Sequence, residues 1–106
     1  MKLGLIIYSN DSETVWNALR LGLFSLMQKD EVKIFLTGKG VNIAQLDTND
    51  FNISEQLQQI ADSGGQILAC GSCVKLHQQA EVAVCPLSTL QELYTIIKEM
   101  DKVLTF

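Results

Sequence analysis

Short runs of apolar residues are separated by longer segments along this chain, and the alternation predicts strands and helices in turn. Runs of four to eight mostly apolar residues are typical of strands that are buried on both faces of a parallel sheet. The strands predicted in this way span residues 2–9, 31–37, 66–70, 81–85 and 102–106.

Apolar residues spaced three or four positions apart predict helices between these strands. Residues 41–52 have no such period and contain many polar, turn-forming side chains, so we expect a loop with one helical turn near Ile43. Gly71 and Ser72 are expected to form a turn before the third helix. The predicted helices span residues 14–28, 53–61, 73–79 and 90–100.

Three polar residues mark expected helix starts. Asn10, Asn52 and Ser88 are each followed three positions later by Glu or Gln, which is the spacing of a capping box. Gly64 and Gly65 follow the second periodic segment and predict its end. Strands and helices therefore alternate along residues 1–106, which predicts a single α/β domain with a mainly parallel five-stranded sheet and helices on both faces.

Composition and charge narrow the function classes. The 106 residues are 47% hydrophobic and 19% charged, which is typical of a folded domain and excludes disorder. Twelve acidic against eight basic residues give a net charge of −4, so nucleic-acid binding is not expected. No apolar run approaches the roughly 18–20 residues of a membrane helix, and no leader peptide is recognised. We therefore expect a cytoplasmic protein without membrane contact.

The three cysteines are the main candidates for chemistry. Cys70, Cys73 and Cys85 all lie at or beside the carboxyl ends of predicted strands, which is where sites gather in open α/β sheets. Cys70 ends a strand and a helix follows, so the free amides of Gly71 and Ser72 are expected to stabilise a thiolate. Lys75 and His77, one turn further on, would add positive charge. Cys85 lies within an apolar run and is expected to be a packing residue.

Two other functions fit the same residues. Cys70, Cys73, His77 and Cys85 have the spacing C-x2-C-x3-H-x7-C, which could supply four ligands to zinc in a non-enzymatic binding module. The Cys-x-x-Cys motif is also found in thioredoxin-like dithiols, although those motifs lie earlier in the chain. We favour thiol chemistry without a metal or cofactor, because a domain of this size folds without a structural zinc.

The first predicted strand-to-helix turn does not favour a nucleotide or flavin. Its acidic residues repel phosphate and no glycine-rich loop is present, so helix capping explains the turn. Trp16 and Arg20 share the first helix at i, i+4 spacing and are expected to be surface and interface residues. One small core has no room for every apolar side chain of this chain. The residues left over, which are candidates for a subunit interface, are Leu21, Phe24 and Phe51.

Several segments together resemble the DsrE/DsrF-like family, which includes DsrE, TusD and YchN types. They are residues 6–18 (IIYSNDSETVWNA), 32–41 (VKIFLTGKGV), 67–73 (ILACGSC) and 101–106. The resemblance covers essentially the whole chain. It implies a flavodoxin-like three-layer α/β/α sandwich that assembles into homotrimers or homohexamers.

The resemblance also implies a role in sulfur relay. Its better-known members carry sulfur as a persulfide on a cysteine that follows the strand corresponding to residues 66–70, which points to Cys70. Many members have an Arg-Gly pair about two turns later, where this chain has His77 and Gln78. The leading hypothesis is a sulfur carrier, a sulfurtransferase-like role, that exchanges sulfur with donor and acceptor proteins. In it Cys70 accepts the sulfur and Cys73 resolves the persulfide.

Overall fold

The computed structural model describes residues 1–106 and has five parallel strands at its centre. The strands are β1 (Lys2–Ile7), β2 (Glu31–Leu36), β3 (Gln66–Cys70), β4 (Leu87–Ser88) and β5 (Lys102–Thr105). The helices are α1 (Ser12–Met27), α2 (Ile53–Asp62), α3 (Gly71–Leu76) and α4 (Leu90–Glu99), and Gly38–Gln45 forms a 3-10 helix. The order across the sheet is β4-β3-β2-β1-β5, and every pair is parallel.

The strand order explains the three layers. From β1 to β4 the chain moves steadily towards one edge, so right-handed crossovers place α1, α2 and α3 on the same face. The connection from β4 to β5 returns across the sheet, and α4 therefore lies on the opposite face. The expected α/β sandwich with a parallel five-stranded sheet is confirmed.

Alternate strand residues enter two separate apolar clusters. On the face of α1 and α2, Ile34 and Ile67 belong to a cluster of 19 buried residues. On the face of α4, Phe35 and Leu68 pack against Ile96 of that helix and against Met100, its C-cap residue. The sheet is thus covered on both sides, which is why its strands read as continuous apolar runs.

The register of β2 and β3 determines where the following segments meet. Their pairs run from Lys33–Gln66 to Leu36–Ala69, so Thr37 and Cys70 leave the sheet side by side. The segments after the two strands therefore start at the same edge.

The predicted strand at residues 81–85 is wrong. These residues form a turn closed by an antiparallel bridge between Val82 and Cys85, and the fourth strand is Leu87–Ser88. Cys85 N–H donates to Val82 O at 2.9 Å, so the backbone is bonded locally rather than to β3. The apolar pattern there reflects burial of the Cys85 side chain in the core.

Two nearby predictions also need correction. Gly71 and Ser72 do not form a separate turn, because α3 begins directly after β3 and ends at Leu76 rather than at residue 79. Cys70 is extended and serves as the N-cap residue of α3. The expected single turn near Ile43 is part of the longer 3-10 helix, which begins right after Thr37.

The helix starts are close to their predicted positions. Asn52 caps α2 as expected and accepts from Glu55 N–H. The cap of α1 is Asp11 rather than Asn10, and the cap of α4 is Thr89 rather than Ser88. Ser88 is unavailable as a cap because it belongs to β4 and pairs with Cys70. No helix has the length and apolar character needed to span a membrane.

Helix α1 ends in a Schellman motif whose left-handed residue is Lys29. Lys29 N–H donates to Leu26 O at 2.9 Å, and Asp30 N–H donates to Ser25 O at 3.1 Å. Lys29 has φ of 69°, a conformation in which a Cβ is unfavourable. Its side chain is exposed and makes no hydrogen bond.

Replacing Lys29 with glycine should raise the free energy of unfolding by about 0.5–1 kcal/mol, because glycine adopts positive φ without steric cost. Urea denaturation of Lys29→Gly and of the unaltered protein measures the difference. Lys29→Ala is the matched control, since it removes the same side chain but keeps the Cβ. Equal stabilisation by both substitutions would contradict backbone strain as the cause.

Candidate thiol site

Cys73 lies at the edge of the sheet where β2 and β3 both end. It occupies the first turn of α3, and its side chain faces the segment that follows β2. The Gly38 amide N–H donates to Cys73 Sγ at 3.3 Å, and Thr37 Oγ1 lies 3.6 Å from the same sulfur. Two neighbouring strands thus supply the thiol and its hydrogen-bond partners.

The surroundings of Cys73 favour its thiolate. Partial burial raises the pKa of the Cys73 thiol, but hydrogen bonds from Cys70, Gly38 and Thr37 lower it, and the net pKa lies below the ordinary cysteine value. A lowered pKa makes more of the nucleophilic thiolate available at neutral pH. The site can therefore perform thiolate chemistry at Cys73.

Cys70 is the second thiol of the site. It is partly exposed, contacts both apolar clusters and is reduced, as are the other two cysteines. Its side chain lies near Cys73 and helps to lower the pKa of the Cys73 thiol. The Cys-x-x-Cys motif predicted from the sequence therefore places its two thiols together, next to the segment that follows β2.

Cys85 stands apart from this pair. Only 2% of its surface is exposed, and it lies in the larger apolar cluster. Burial raises the pKa of Cys85 to about 12, so this residue stays a neutral thiol at physiological pH. The structure places Cys85 where the sequence analysis expected a packing residue.

The other candidate residues lie on α3 and at its end. Gly71 and Ser72 are its first two residues, Lys75 is exposed in its last turn, and His77 is its C-cap residue. His77 contributes its backbone N–H to Cys73 O at 2.9 Å. The side chains of Ser72, Lys75 and His77 make no hydrogen bond to either thiol.

The zinc hypothesis lacks the required geometry. No group of three or more His, Cys, Asp or Glu side chains converges closely enough to hold a metal ion. Cys70 and Cys73 share one edge of the sheet, whereas Cys85 is enclosed in the core.

The remaining candidates have structural roles. Ser9 Oγ accepts from Asp11 N–H, and the Asp11 carboxylate caps α1 through Thr14, which also lowers the pKa of Asp11. The Arg20 guanidinium lies 4.6 Å from the ring centre of Trp16, so the two residues form a cation–π contact within α1. Phe51, expected at an interface, packs against Trp16 instead, whereas Leu21 and Phe24 are exposed.

Thr37 and Gly38 were not among the predicted site residues, although the predicted strand 31–37 ends at this position. A signal for them was present. In a parallel sheet the residues that follow adjacent strands lie next to each other. The Thr-Gly pair directly after β2 can donate hydrogen bonds from a hydroxyl and from an amide that no side chain covers. Two hydrogen-bond partners of Cys73 thus lie directly after the neighbouring strand β2, whereas helical spacing favoured Lys75 and His77.

We expect the three thiols to differ in reactivity in the reduced, folded protein. Cys73 should be alkylated by iodoacetamide with an apparent pKa below that of an unperturbed thiol, because its thiolate is stabilised by hydrogen bonds. Cys85 should be modified far more slowly than Cys73 while the protein is folded, because its thiol is buried. Peptide mass spectrometry across a pH series measures both. Alkylation of Cys85 at the rate of Cys73 would contradict this assignment.

Comparison with known proteins agrees with this architecture. The chain is 34% identical to an uncharacterized protein of Methanopyrus kandleri, with 89% of this chain and 83% of that protein covered. It is 33% identical to an uncharacterized protein of Methanocaldococcus jannaschii, with 89% of this chain and 88% of that protein covered. The crystal structure of the ychN protein from E. coli matches all of both chains with a TM-score of 0.85 at 24% identity, which shows the same fold. Because the model of the DsrE/DsrF-like family matches residues 1–106 throughout, this chain belongs to that family.

Proposed function

We propose that this protein is a sulfur carrier that holds sulfane sulfur as a persulfide on its Cys-x-x-Cys pair. Membership of the DsrE/DsrF-like family supports a role of the sulfur-relay type in general. The observation that carries the specific proposal is the hydrogen bonding of Cys73 Sγ, which receives the Gly38 amide at 3.3 Å. A thiolate stabilised in this way is the nucleophile that sulfur transfer requires.

The hydrogen bonds favour Cys73 as the residue that accepts sulfur. The sequence-based hypothesis gave this role to Cys70, because Cys70 directly follows the strand. Cys73, however, has the two donors from the segment after β2 and the lowered pKa. In this proposal Cys70 is the neighbouring thiol that resolves the persulfide.

Each step is an exchange at sulfur. The Cys73 thiolate attacks the outer sulfur of a donor persulfide, the donor S–S bond breaks and the donor thiolate leaves. In delivery, an acceptor thiolate attacks the outer sulfur on Cys73, and Cys73 leaves as a thiolate. If no acceptor arrives, the Cys70 thiolate attacks Cys73 Sγ, a Cys70–Cys73 disulfide forms and hydrosulfide is released.

The proposed carrier would work in the cytoplasm with sulfur donor and acceptor proteins. Donor and acceptor would be proteins bearing reactive thiols, and the reducing cytoplasm would keep both cysteines ready for exchange. The exposed position of the site at the sheet edge suits short encounters with such partners. No cofactor is needed, since every step uses only thiols and persulfides.

The test is loading with sodium polysulfide, followed by alkylation and mass spectrometry. Cys73→Ser should lose the added sulfur, because serine does not form a persulfide. Cys70→Ser should still load and should hold its sulfur longer, because the resolving thiol is missing. Cys85→Ala is the matched control and should load like the unaltered protein, since Cys85 is buried.

Other outcomes assign the site differently. Loading lost in Cys70→Ser but kept in Cys73→Ser would restore Cys70 as the carrier. Formation of the Cys70–Cys73 disulfide without any added sulfur would favour a thiol–disulfide redox protein, a function suggested by the contact between the two thiols.

A homo-oligomer is the second part of the proposal. Leu90, Tyr94 and Ile97 form an apolar stripe on the outer side of α4, with 77%, 63% and 51% of their surfaces exposed. Leu21 and Phe24 are exposed on α1. Apolar side chains exposed in such groups are typical of surfaces covered by another chain.

We expect light scattering to show a trimer or hexamer that is dissociated by the double substitution Tyr94→Glu and Ile97→Glu, because burying these carboxylates in an interface is costly. Gln58→Glu also adds negative charge to an exposed helix position, but on α2 at the opposite face of the sheet, and should leave the assembly intact. A monomeric unaltered protein would contradict the proposal.

A further inference from the structure

The two donors to Cys73 belong to one short segment, Thr37 and Gly38, which lies outside the helix that carries the cysteine. The Thr37 hydroxyl makes no hydrogen bond other than its contact with Cys73 Sγ. A neutral thiol can donate to this hydroxyl, whereas a thiolate only accepts from it. Both the Thr37 hydroxyl and the Gly38 amide can therefore point a hydrogen at the same anionic sulfur.

The end of β1 holds this segment in place. Thr37 N–H donates to Ile7 O at 3.0 Å, and Gly40 N–H donates to Thr37 O at 2.9 Å. Gly40 lies so close to β1 that a Cβ on it would be 2.1 Å from Ile7 O. The backbone next to the donors is thus fixed by packing before any substrate arrives, which is the condition for preorganised stabilisation of charge.

We propose that Thr37 is a positioning residue which, with the Gly38 amide, makes Cys73 a good leaving group when sulfur is delivered to an acceptor. The inference rests on the proposed function and concerns its second step. As the acceptor thiolate forms its bond to the outer sulfur, the S–S bond breaks and its electron pair remains on Cys73 Sγ. Negative charge returns to the atom that both donors face.

The two donors affect sulfur delivery because they interact differently with Cys73 Sγ before and after the S–S bond breaks. In the loaded protein Cys73 Sγ is an uncharged inner sulfur, and after delivery it is a thiolate. Hydrogen bonds to an anion are stronger than those to a neutral acceptor, so they strengthen as the S–S bond breaks. Thiols of lower pKa also leave faster in exchange reactions.

The test compares Thr37→Val with Thr37→Ser in full-length Cys70→Ser protein, where Cys73 is the reactive thiol that remains. Valine removes the hydroxyl at nearly constant shape, and serine keeps it. The first measurement, without sulfur, is the apparent pKa of Cys73 from the pH dependence of iodoacetamide alkylation. Thr37→Val should raise it by about one unit, and Thr37→Ser should restore it.

The second measurement follows sulfur delivery. Each protein is loaded with sodium polysulfide and mixed with cyanide, which accepts the outer sulfur and forms thiocyanate. Thr37→Val should slow delivery about threefold, as expected when the leaving thiol has a pKa about one unit higher, and Thr37→Ser should restore the rate. Should Thr37→Val not fold, Thr37→Ala removes the same hydroxyl.

The outcomes separate this inference from the proposed function. An unchanged pKa and rate in Thr37→Val, or equal losses in Thr37→Val and Thr37→Ser, would overturn the role of the hydroxyl. Failure of all three proteins to load sulfur would contradict the carrier function and the leaving-group role with it. The pKa measurement would then still show whether Thr37 stabilises the Cys73 thiolate.

Discussion

The parallel pairing of β2 with β3 is the constraint on which the site depends. Four residue pairs in register bring Thr37 and Cys70 out of the sheet together, so the donors and the thiols meet without a long loop. Side chains alternate between two apolar clusters, and a shift by one residue would exchange the faces of every side chain in the strand. Burial of Ile34 and Phe35 on opposite faces therefore also fixes the geometry of the thiol site.

Two cysteines in one small fold show how differently burial and hydrogen bonding act on a thiol. Burial opposes ionisation at both Cys73 and Cys85. At Cys73 the hydrogen bonds from Cys70, Gly38 and Thr37 outweigh the effect of burial on the pKa, whereas Cys85 lies among apolar side chains with no hydrogen-bond donor. The distinction between a reactive and an inert thiol thus depends on hydrogen-bond donors, and two of them, Thr37 and Gly38, are far from either cysteine in the sequence.

The sequence was sufficient for most of the fold because its helices and strands are periodic and its sheet is parallel. The sequence-based prediction failed at residues 81–85, where a turn with a buried Cys85 and half-buried Val82 and Val84 has the apolar pattern of a strand. It also failed at the start of α3, where glycine and serine are typical of a turn. It located the Cys-x-x-Cys pair but not its hydrogen-bond donors. Local spacing favoured Lys75 and His77, whereas the contact of Gly38 with Cys73 spans 35 positions and requires the strand register.

Chemical modification of the buried Cys85 thiol can report local opening of the structure around it. Cys85 belongs to the segment between α3 and β4, and its thiol is buried in the larger apolar cluster, so a small reagent reaches it only while that segment is displaced. When reclosing is faster than labelling, the rate of modification under native conditions reports the free energy of that opening. A single natural sulfur atom can therefore measure how firmly the residues next to the thiol pair are held, with no label attached in advance.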